Sequence, residues 1–212
     1  IDDGEMRRFF DEQPQLFGLL AHDREIYRRL DDSVAAIVAG KTQFYRRARG
    51  YVPLPIKVSG SNEALLACGG SQKNTFALCR DGFAYLSGEN GDLDELDTIS
   101  CYEKAAEDFE KVLRIEPEAV CCDLHPRYES TKFAEKRSKN ALKVQHHQAH
   151  IASVMAEEGL RGPVIGVAFD GTGYGEDGTV WGGEFLIADA KSFERAGHIK
   201  PYKLVGSDLT IR

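Results

Sequence analysis

The stretch ALLACGGSQKNTFALCRDGFAYL, residues 64–86, decides the fold. Its apolar runs, 64–68, 75–79 and 83–86, are separated by Gly69-Gly70 and by Asp81-Gly82. Short apolar runs bounded by glycine turns read as strands, and strands joined by short turns form an antiparallel meander. Working downstream, the period lengthens. Ser100 followed by Glu103 is a capping-box signal, and Tyr102, Ala105, Phe109, Val112 and Leu113 recur at helical spacing. This predicts a helix that lays one face on the sheet and is closed by Pro117. Residues 119–124 read as a buried strand, 129–139 as a charged helix and 142–145 as a brief strand. A helix from about His147 to Glu158 ends at Gly159. Residues 164–169 form a strong strand, with 180–187 as its hairpin partner across a glycine-rich turn.

Three antiparallel strands followed by helix, strand, helix, strand is an α/β arrangement with a mixed sheet. It is the order found in a ribonuclease-H-like half-domain of actin-like (ASKHA) ATP-binding proteins, a likeness of fold alone. Two halves close a nucleotide cleft in such folds, and residues 59–212 have length for the first. Upstream, residues 1–58 mix short helical and strand signals and end in RRARGYVPLP, residues 46–55, where two prolines favour an extended linker. A domain boundary is placed there.

Composition narrows the function classes. With 212 residues and 42% hydrophobic content the chain can bury a full core. A net charge of -7, with acidic residues spread along the chain, leaves no broad basic face, which argues against nucleic acid. No run approaches the roughly 18 apolar residues of a spanning helix, and no basic-then-apolar leader opens the sequence, so no membrane partner and a cytoplasmic location are expected. The five cysteines, Cys68, Cys79, Cys101, Cys121 and Cys122, form no C-x-x-C pair and read as buried thiols in a reducing compartment. A chain that starts at Ile1 without methionine and stops just after the turn-like residues 206–208 reads as an interior fragment.

The densest chemical signal is VQHHQAH, residues 144–150, at a strand-to-helix junction. Side chains four apart share a helix face, so His146 and His150 can offer two imidazole nitrogens to one ion if the helix begins early enough. The alternative for His150 is packing or capping. His147 points about 100° away and reads as a supporting or exposed neighbour. A zinc protease would need glutamate directly after the first histidine, and His147 stands there instead.

The second signal is FDGTGYGEDG, residues 169–178. Glycines such as Gly171 and Gly173 in a turn let backbone amides approach an anion, and Asp170 at the strand's end could ligate a cation. A plain glycine-rich hairpin, with Asp170 bonding to its own backbone, is the alternative. Two imidazoles and a carboxylate leave an open position, as in a catalytic metal site. In GGSQKNT, residues 69–75, Lys73 has no phosphate-loop spacing; an ammonium there could balance an acyl phosphate, or it is a solvated hairpin lysine. Within CCDLHP, residues 121–126, adjacent cysteines face opposite sides, so at most one could meet His125, and the strand end carries Asp123 and His125 toward the cleft rim.

Taken together, GGSQKNTF (69–76), CDLHP (122–126), VQHHQAHIA (144–152) and VAFDGTGYGEDGTVWGGEF (167–185) resemble, in order and spacing, the carbamoyl-transfer domain of HypF-type carbamoyltransferases of [NiFe]-hydrogenase maturation. Upstream, AHDREI (21–26), RLDDSV (29–34) and RRARGYVP (46–53) resemble the last part of the family's YrdC-like α/β domain. The resemblance implies that carbamoyl phosphate is cleaved at an acylphosphatase domain and that carbamate is adenylated with ATP. Carbamoyl-adenylate then carbamoylates the C-terminal cysteine of the partner HypE. It implies His146, His150 and Asp170 as ligands of a divalent metal (zinc, iron or magnesium), Lys73 and Asp170 as catalytic, and Gly171, Gly173, Ser33 and Arg49 as contacts of ATP or carbamoyl-adenylate. Zinc modules, the acylphosphatase domain and most of the YrdC-like domain lie outside this sequence, so turnover by the fragment alone is not expected, and a further ligand is expected from outside. Gln148 stands where many relatives have histidine. Two other readings are an O-carbamoyltransferase acting on a small-molecule hydroxyl, and a non-enzymatic scaffold docking HypE.

Overall fold

The computed structural model describes residues 3–21, 23–24, 30–58 and 62–201 and divides the chain into two compact units, 1–52 and 53–212. Parts of the upstream matching segments, at His22 and residues 25–29, lie outside the described residues, as do residues 206–208.

The first unit holds α1 (Asp3–Asp11) and an antiparallel hairpin of β1 (Val34–Val38) and β2 (Lys41–Arg46). Its turn places Ala39 and Gly40 at φ 50° and 78°, the left-handed pair that matches strand twist.

The second unit opens with β3 (Ile56–Lys57), β4 (Leu65–Ala67), β5 (Ala77–Arg80) and β6 (Phe83–Leu86). Next come α2 (Leu96–Leu113), β7 (Ala119–Asp123), α3 (Glu129–Arg137), β8 (Leu142–Val144) and α4 (His146–Glu157). The strands form one mixed sheet in the order β3-β6-β5-β4-β7-β8, with β7 parallel to both β4 and β8. This is the meander followed by parallel crossovers that the sequence implied.

Two local expectations are corrected. Only the Asp81-Gly82 connection is a tight turn, at φ 52° and 77°. Residues 68–76 instead make a longer loop, stitched by the buried Asn74 amide donating to the carbonyls of Cys68 (3.0 Å) and Gly70 (2.7 Å). Helix α2 starts at Leu96, with Glu95 as an N-cap that makes no side-chain cap bond, so Ser100 lies inside the helix. It is closed before Pro117, by Arg114 in the left-handed conformation (φ 53°, ψ 46°).

The main core lies between this sheet and helices α2 and α3. Leu66, Leu78, Phe76, Leu93, Ile115, Tyr102 and Phe133 are buried there. Phe76–Tyr102 and Tyr102–Phe133 pack edge to face at 5.9 and 5.1 Å between ring centroids. Ala106 takes a buried position on α2, while Val112, expected on the inner face, is 60% exposed. The hydroxyl of Tyr102 donates to the carbonyl of Cys68 at 3.0 Å, so this buried polar atom is satisfied.

A second sheet follows, made of β9 (Val164–Tyr174), β10 (Val180–Ala188) and β11 (Phe193–His198) in the antiparallel order β11-β10-β9. Strand β11 was not anticipated. Helix α4 leaves the end of β8 yet packs on this second sheet, with Ile151 and Met155 against Leu186 and Ala188. Gly166 makes the approach possible, because a Cβ there would stand 2.2 Å from Cδ1 of Ile151. No helix among the described residues is long and apolar enough to cross a membrane.

The cysteines are all free. Burial pushes the Cys68 thiol up to about 12 and that of Cys121 to about 11, which makes them poor nucleophiles. Cys101, expected to be buried, is exposed.

Candidate metal centre

Three elements converge where the two sheets of the second unit meet. The first is the N-terminus of α4. The helix begins at His146, one residue earlier than the sequence suggested, because Gln145 caps it: its side-chain oxygen accepts from the Gln148 N–H at 3.0 Å. The Gln145 amide also reaches the Tyr174 carbonyl at 3.3 Å and Nδ1 of His147 at 3.2 Å, tying the helix start to β9. With the helix starting there, His146 and His150 share a face, their rings 4.9 Å apart between centroids.

The second element is β9. Asp170 does not end this strand, and the glycine-rich turn expected at 169–178 is largely a strand as well: β9 continues through Gly171 and Gly173, and the turn proper falls at 175–179. Phe169 pairs with Gly183 and Gly173 with Trp181, so Asp170, Gly171 and Thr172 stand opposite Gly182 alone. Such an irregularity shifts the pleat. Gly166, Ala168 and Asp170 face α4 before it, and Gly173 faces α4 after it, which aims the Asp170 carboxylate at the paired histidines.

The ligand atoms meet. His146 Nε2 lies 2.8 Å from Asp170 Oδ2, His150 Nε2 lies 3.3 Å from His146 Nε2, and His150 Nε2 lies 3.7 Å from Asp170 Oδ2. Nitrogen and oxygen ligands about 2.1 Å from a tetrahedral zinc are roughly 3.4 Å apart, so the three distances bracket that spacing. A proton on His146 Nε2 can serve only one of its two contacts at a time, whereas a cation at the centre serves all three atoms. Donor set and geometry therefore fit a metal ion. His150 is the most open of the three, with a side chain 56% exposed, leaving room for another ligand.

The third element is the end of β7. Buried Asp123 places Oδ2 2.6 Å from Nδ1 of His146, and its Oδ1 accepts from the His125 N–H at 2.8 Å. The Asp123 hydrogen bond is the largest influence raising the His146 pKa above its ordinary value. Sequence reasoning had carried Asp123 only to the cleft rim. The signal that could have found it was the order strand, helix, strand, which places Asp123 beside Val144, two residues from His146. His125 stacks on Tyr128 at 4.1 Å and meets the edge of Tyr174 at 5.2 Å, forming an aromatic rim. Burial, together with the charges of Asp123, Asp170 and Asp94, raises the Tyr128 pKa.

The other expected residues take different places. His147, expected as a supporting or exposed neighbour, is fully buried, and burial lowers its pKa and keeps it neutral. Accepting from Gln145 at Nδ1, it carries its proton on Nε2, which has no well-aligned hydrogen-bond partner. Gly173 lets β9 pass this ring. Gly171 is open, its N–H donating to the Asp170 carboxylate at 2.8 Å. Lys73 is exposed at φ 45° in the loop 68–76, its N–H donating to Asp92 at 2.7 Å. That loop passes the paired histidines at Gly70, where a Cβ would lie 4.0 Å from Cε1 of His146. In the first unit, Ser33 donates to the Arg49 carbonyl and accepts from the Ala48 N–H, both at 2.9 Å. The Arg49 guanidinium reaches the Leu30 carbonyl at 3.2 Å and Asp32 at 3.4 Å.

Comparison with known proteins bears on these features together. Residues 60–157 match the family model of the HypF Kae1-like domain, and residues 166–212 match that of the carbamoyltransferase Kae1-like domain, second subdomain. All of the sheet β9–β11 except the first two residues of β9 falls within the second of these. Carbamoyltransferase HypF of Synechocystis sp. is 45% identical over 92% of this chain. A probable carbamoyltransferase HypF of Methanocaldococcus jannaschii is 37% identical over 91%. The chain spans about a quarter (26%) of the length of either relative. Among solved structures, full-length HypF in its phosphate- and nucleotide-bound form superposes with a TM-score of 0.77 at 47% identity, over 83% of this chain and 28% of that one. HypF of T. kodakarensis gives 0.81 at 42%, over 90% of this chain and 25% of that one.

Proposed function

The chain belongs to the HypF family of carbamoyltransferases, and from that membership we propose that its second unit carries the metal-bearing wall of a carbamoyl-transfer site serving [NiFe]-hydrogenase maturation. The observation that carries this reading is the convergence of His146 Nε2, His150 Nε2 and Asp170 Oδ2 within coordinating distance of a common centre. Two imidazoles and one carboxylate favour zinc or iron over magnesium, which prefers an all-oxygen shell. A bound ion would supply Lewis acidity to the carbonyl of a mixed carbamoyl anhydride.

The chain's own residues orient and shield that chemistry. His150 leaves the open side of the site to solvent, the loop 68–76 brings Gly70 against His146, and Lys73 offers an ammonium to the phosphate of carbamoyl-adenylate formed from carbamoyl phosphate and ATP. The acceptor is the C-terminal cysteine thiol of HypE. Ser33 and Arg49 belong to the end of a YrdC-like domain that makes the adenylate, and Gly171, open beside Asp170, is the backbone position left for substrate. The protein acts in the cytoplasm.

Titration of the 212-residue chain with Zn²⁺ tests the site. One equivalent is expected to bind, and none to His146→Ala or His150→Ala; full occupancy in either variant refutes the centre. In a complete HypF protein, the His146→Ala change should abolish carbamoylation of HypE while carbamoyl phosphate-dependent cleavage of ATP persists. Retained carbamoylation would refute the transfer role.

A further inference from the structure

We propose that Asp123 is a positioning residue: held at both oxygens, it fixes the His146 ring with its proton on Nδ1, so that Nε2 is the free nitrogen presented to the metal. This rests on the metal-centre reading above and adds a residue from a third element to it.

The argument starts from the strand. Asp123 is the last residue of β7, is 9% exposed, and is paired in parallel register with Val144 of β8, so its side chain emerges beside the start of α4. Both of its oxygens are committed. Oδ1 accepts the His125 N–H at 2.8 Å and Oδ2 sits 2.6 Å from His146 Nδ1, while Thr131 fixes the Asp123 carbonyl at 3.2 Å. A carboxylate can only accept, so the 2.6 Å contact calls for a proton on Nδ1. With an ion held between Asp170 and His150, Nε2 would be the nitrogen left to coordinate it. A carboxylate behind a ligating imidazole fixes tautomer and ring orientation and increases the basicity of the ligand nitrogen. Asp170 also lies near the ring, 2.8 Å from Nε2, but it is itself one of the three ligand groups and its side chain is 33% exposed against 7% for Asp123. The shorter contact and the more buried carboxylate are on the Nδ1 side.

Asparagine cannot replace this group. Its amide has one acceptor and one donor end, whereas the site offers two donors, the His125 N–H and the His146 Nδ1–H. Set with its oxygen toward the His125 N–H, the substituted amide would turn its NH₂ on Nδ1, force the proton to Nε2 and block the ligand nitrogen. Set the other way, it would oppose NH₂ to a backbone N–H. The expected consequence of Asp123→Asn is a change of tautomer and a roughly 10- to 100-fold weaker metal affinity, with all three ligands still present, as is usual for loss of an orienting carboxylate.

The experiment uses the whole chain. Two-bond ¹H–¹⁵N correlation spectra of the metal-free protein in mildly alkaline buffer identify the neutral tautomer of each histidine, and competition with a chromophoric chelator gives the Zn²⁺ affinity. Wild type should show His146 as the Nδ1–H form and Asp123→Asn as the Nε2–H form, with affinity reduced roughly 10- to 100-fold. The wild-type spectrum alone tests the idea if the variant fails to fold: an Nε2–H form of His146 there overturns it. Unchanged tautomer in a folded variant, or unchanged affinity, also overturns it. If wild type takes up no Zn²⁺ but shows the Nδ1–H form, the metal centre fails while the positioning by Asp123 stands.

Discussion

Replacing Gly173 by alanine tests the joint between α4 and β9. A Cβ at that position would stand 2.4 Å from Cε1 and 2.7 Å from Nδ1 of His147, and 3.1 Å from Cβ of His146. Ordinary contact begins near 3.4 Å, so the strand and the helix start must separate by about 1 Å. The His147 ring is fully buried and cannot swing aside. Overpacking of this kind costs roughly 1–3 kcal/mol. With a urea slope of about 2 kcal/mol/M, the midpoint should fall by about 1 M. The lone tryptophan, Trp181, pairs with Gly173 across the ladder and is 5% exposed, so its fluorescence reports on this sheet. Because His146 moves with the helix start, Zn²⁺ affinity should fall in the same variant. Gly171→Ala is the control: two residues away on the same strand, it would meet nothing within 4 Å and should shift stability by less than about 0.5 kcal/mol. Equal midpoints for the two variants would refute the steric account.

Other outcomes follow from single contacts. Tyr102→Phe removes one of two donors to the buried Cys68 carbonyl, which keeps its bond from Asn74, and should cost about 0.5–1.5 kcal/mol in urea unfolding; no measurable cost would mean that bond adds nothing. Arg195→Met strips the bidentate partner, at 2.6 and 2.7 Å, from Glu184, which is 1% exposed; it should destabilise by about 3–5 kcal/mol, and Arg195→Met/Glu184→Leu should regain much of that. Reaction with a disulfide reagent should show one fast thiol, Cys101, with Cys68 and Cys121 reacting only as the chain unfolds; a fast phase that survives Cys101→Ser contradicts this.

What the sequence made legible was periodicity. Apolar runs of four or five residues between glycines identified β4 to β6, and the alternation of strand and helix after them fixed the mixed sheet. The histidine pair was legible because spacing on a helix is set by geometry alone, and Asp170 because it follows an apolar run, although it lies inside β9 rather than at its end. Register was not legible. The three-against-one irregularity at Gly182 depends on how β9 and β10 pair, and glycines that suggested a turn in fact permit a strand to pass close to His147. Helix α2 escaped its true start because Glu95 caps nothing through its side chain. Strand β11 was missed because FERAGH has a single large apolar residue and no apolar alternation, and depends on its pairing with β10. Asp123 needed a long-range contact, 23 residues from His146, that no local pattern encodes.

Helix α4 is rooted at the edge of one sheet and lies on the other, so each imidazole it bears belongs mechanically to both. An ion gripped by His146, His150 and Asp170 would act as a rivet through that overlap. Slippage of the sheets by an ångström would open the grip, and filling the grip would arrest the slippage, so hydrogen exchange in β9 should slow when Zn²⁺ is added.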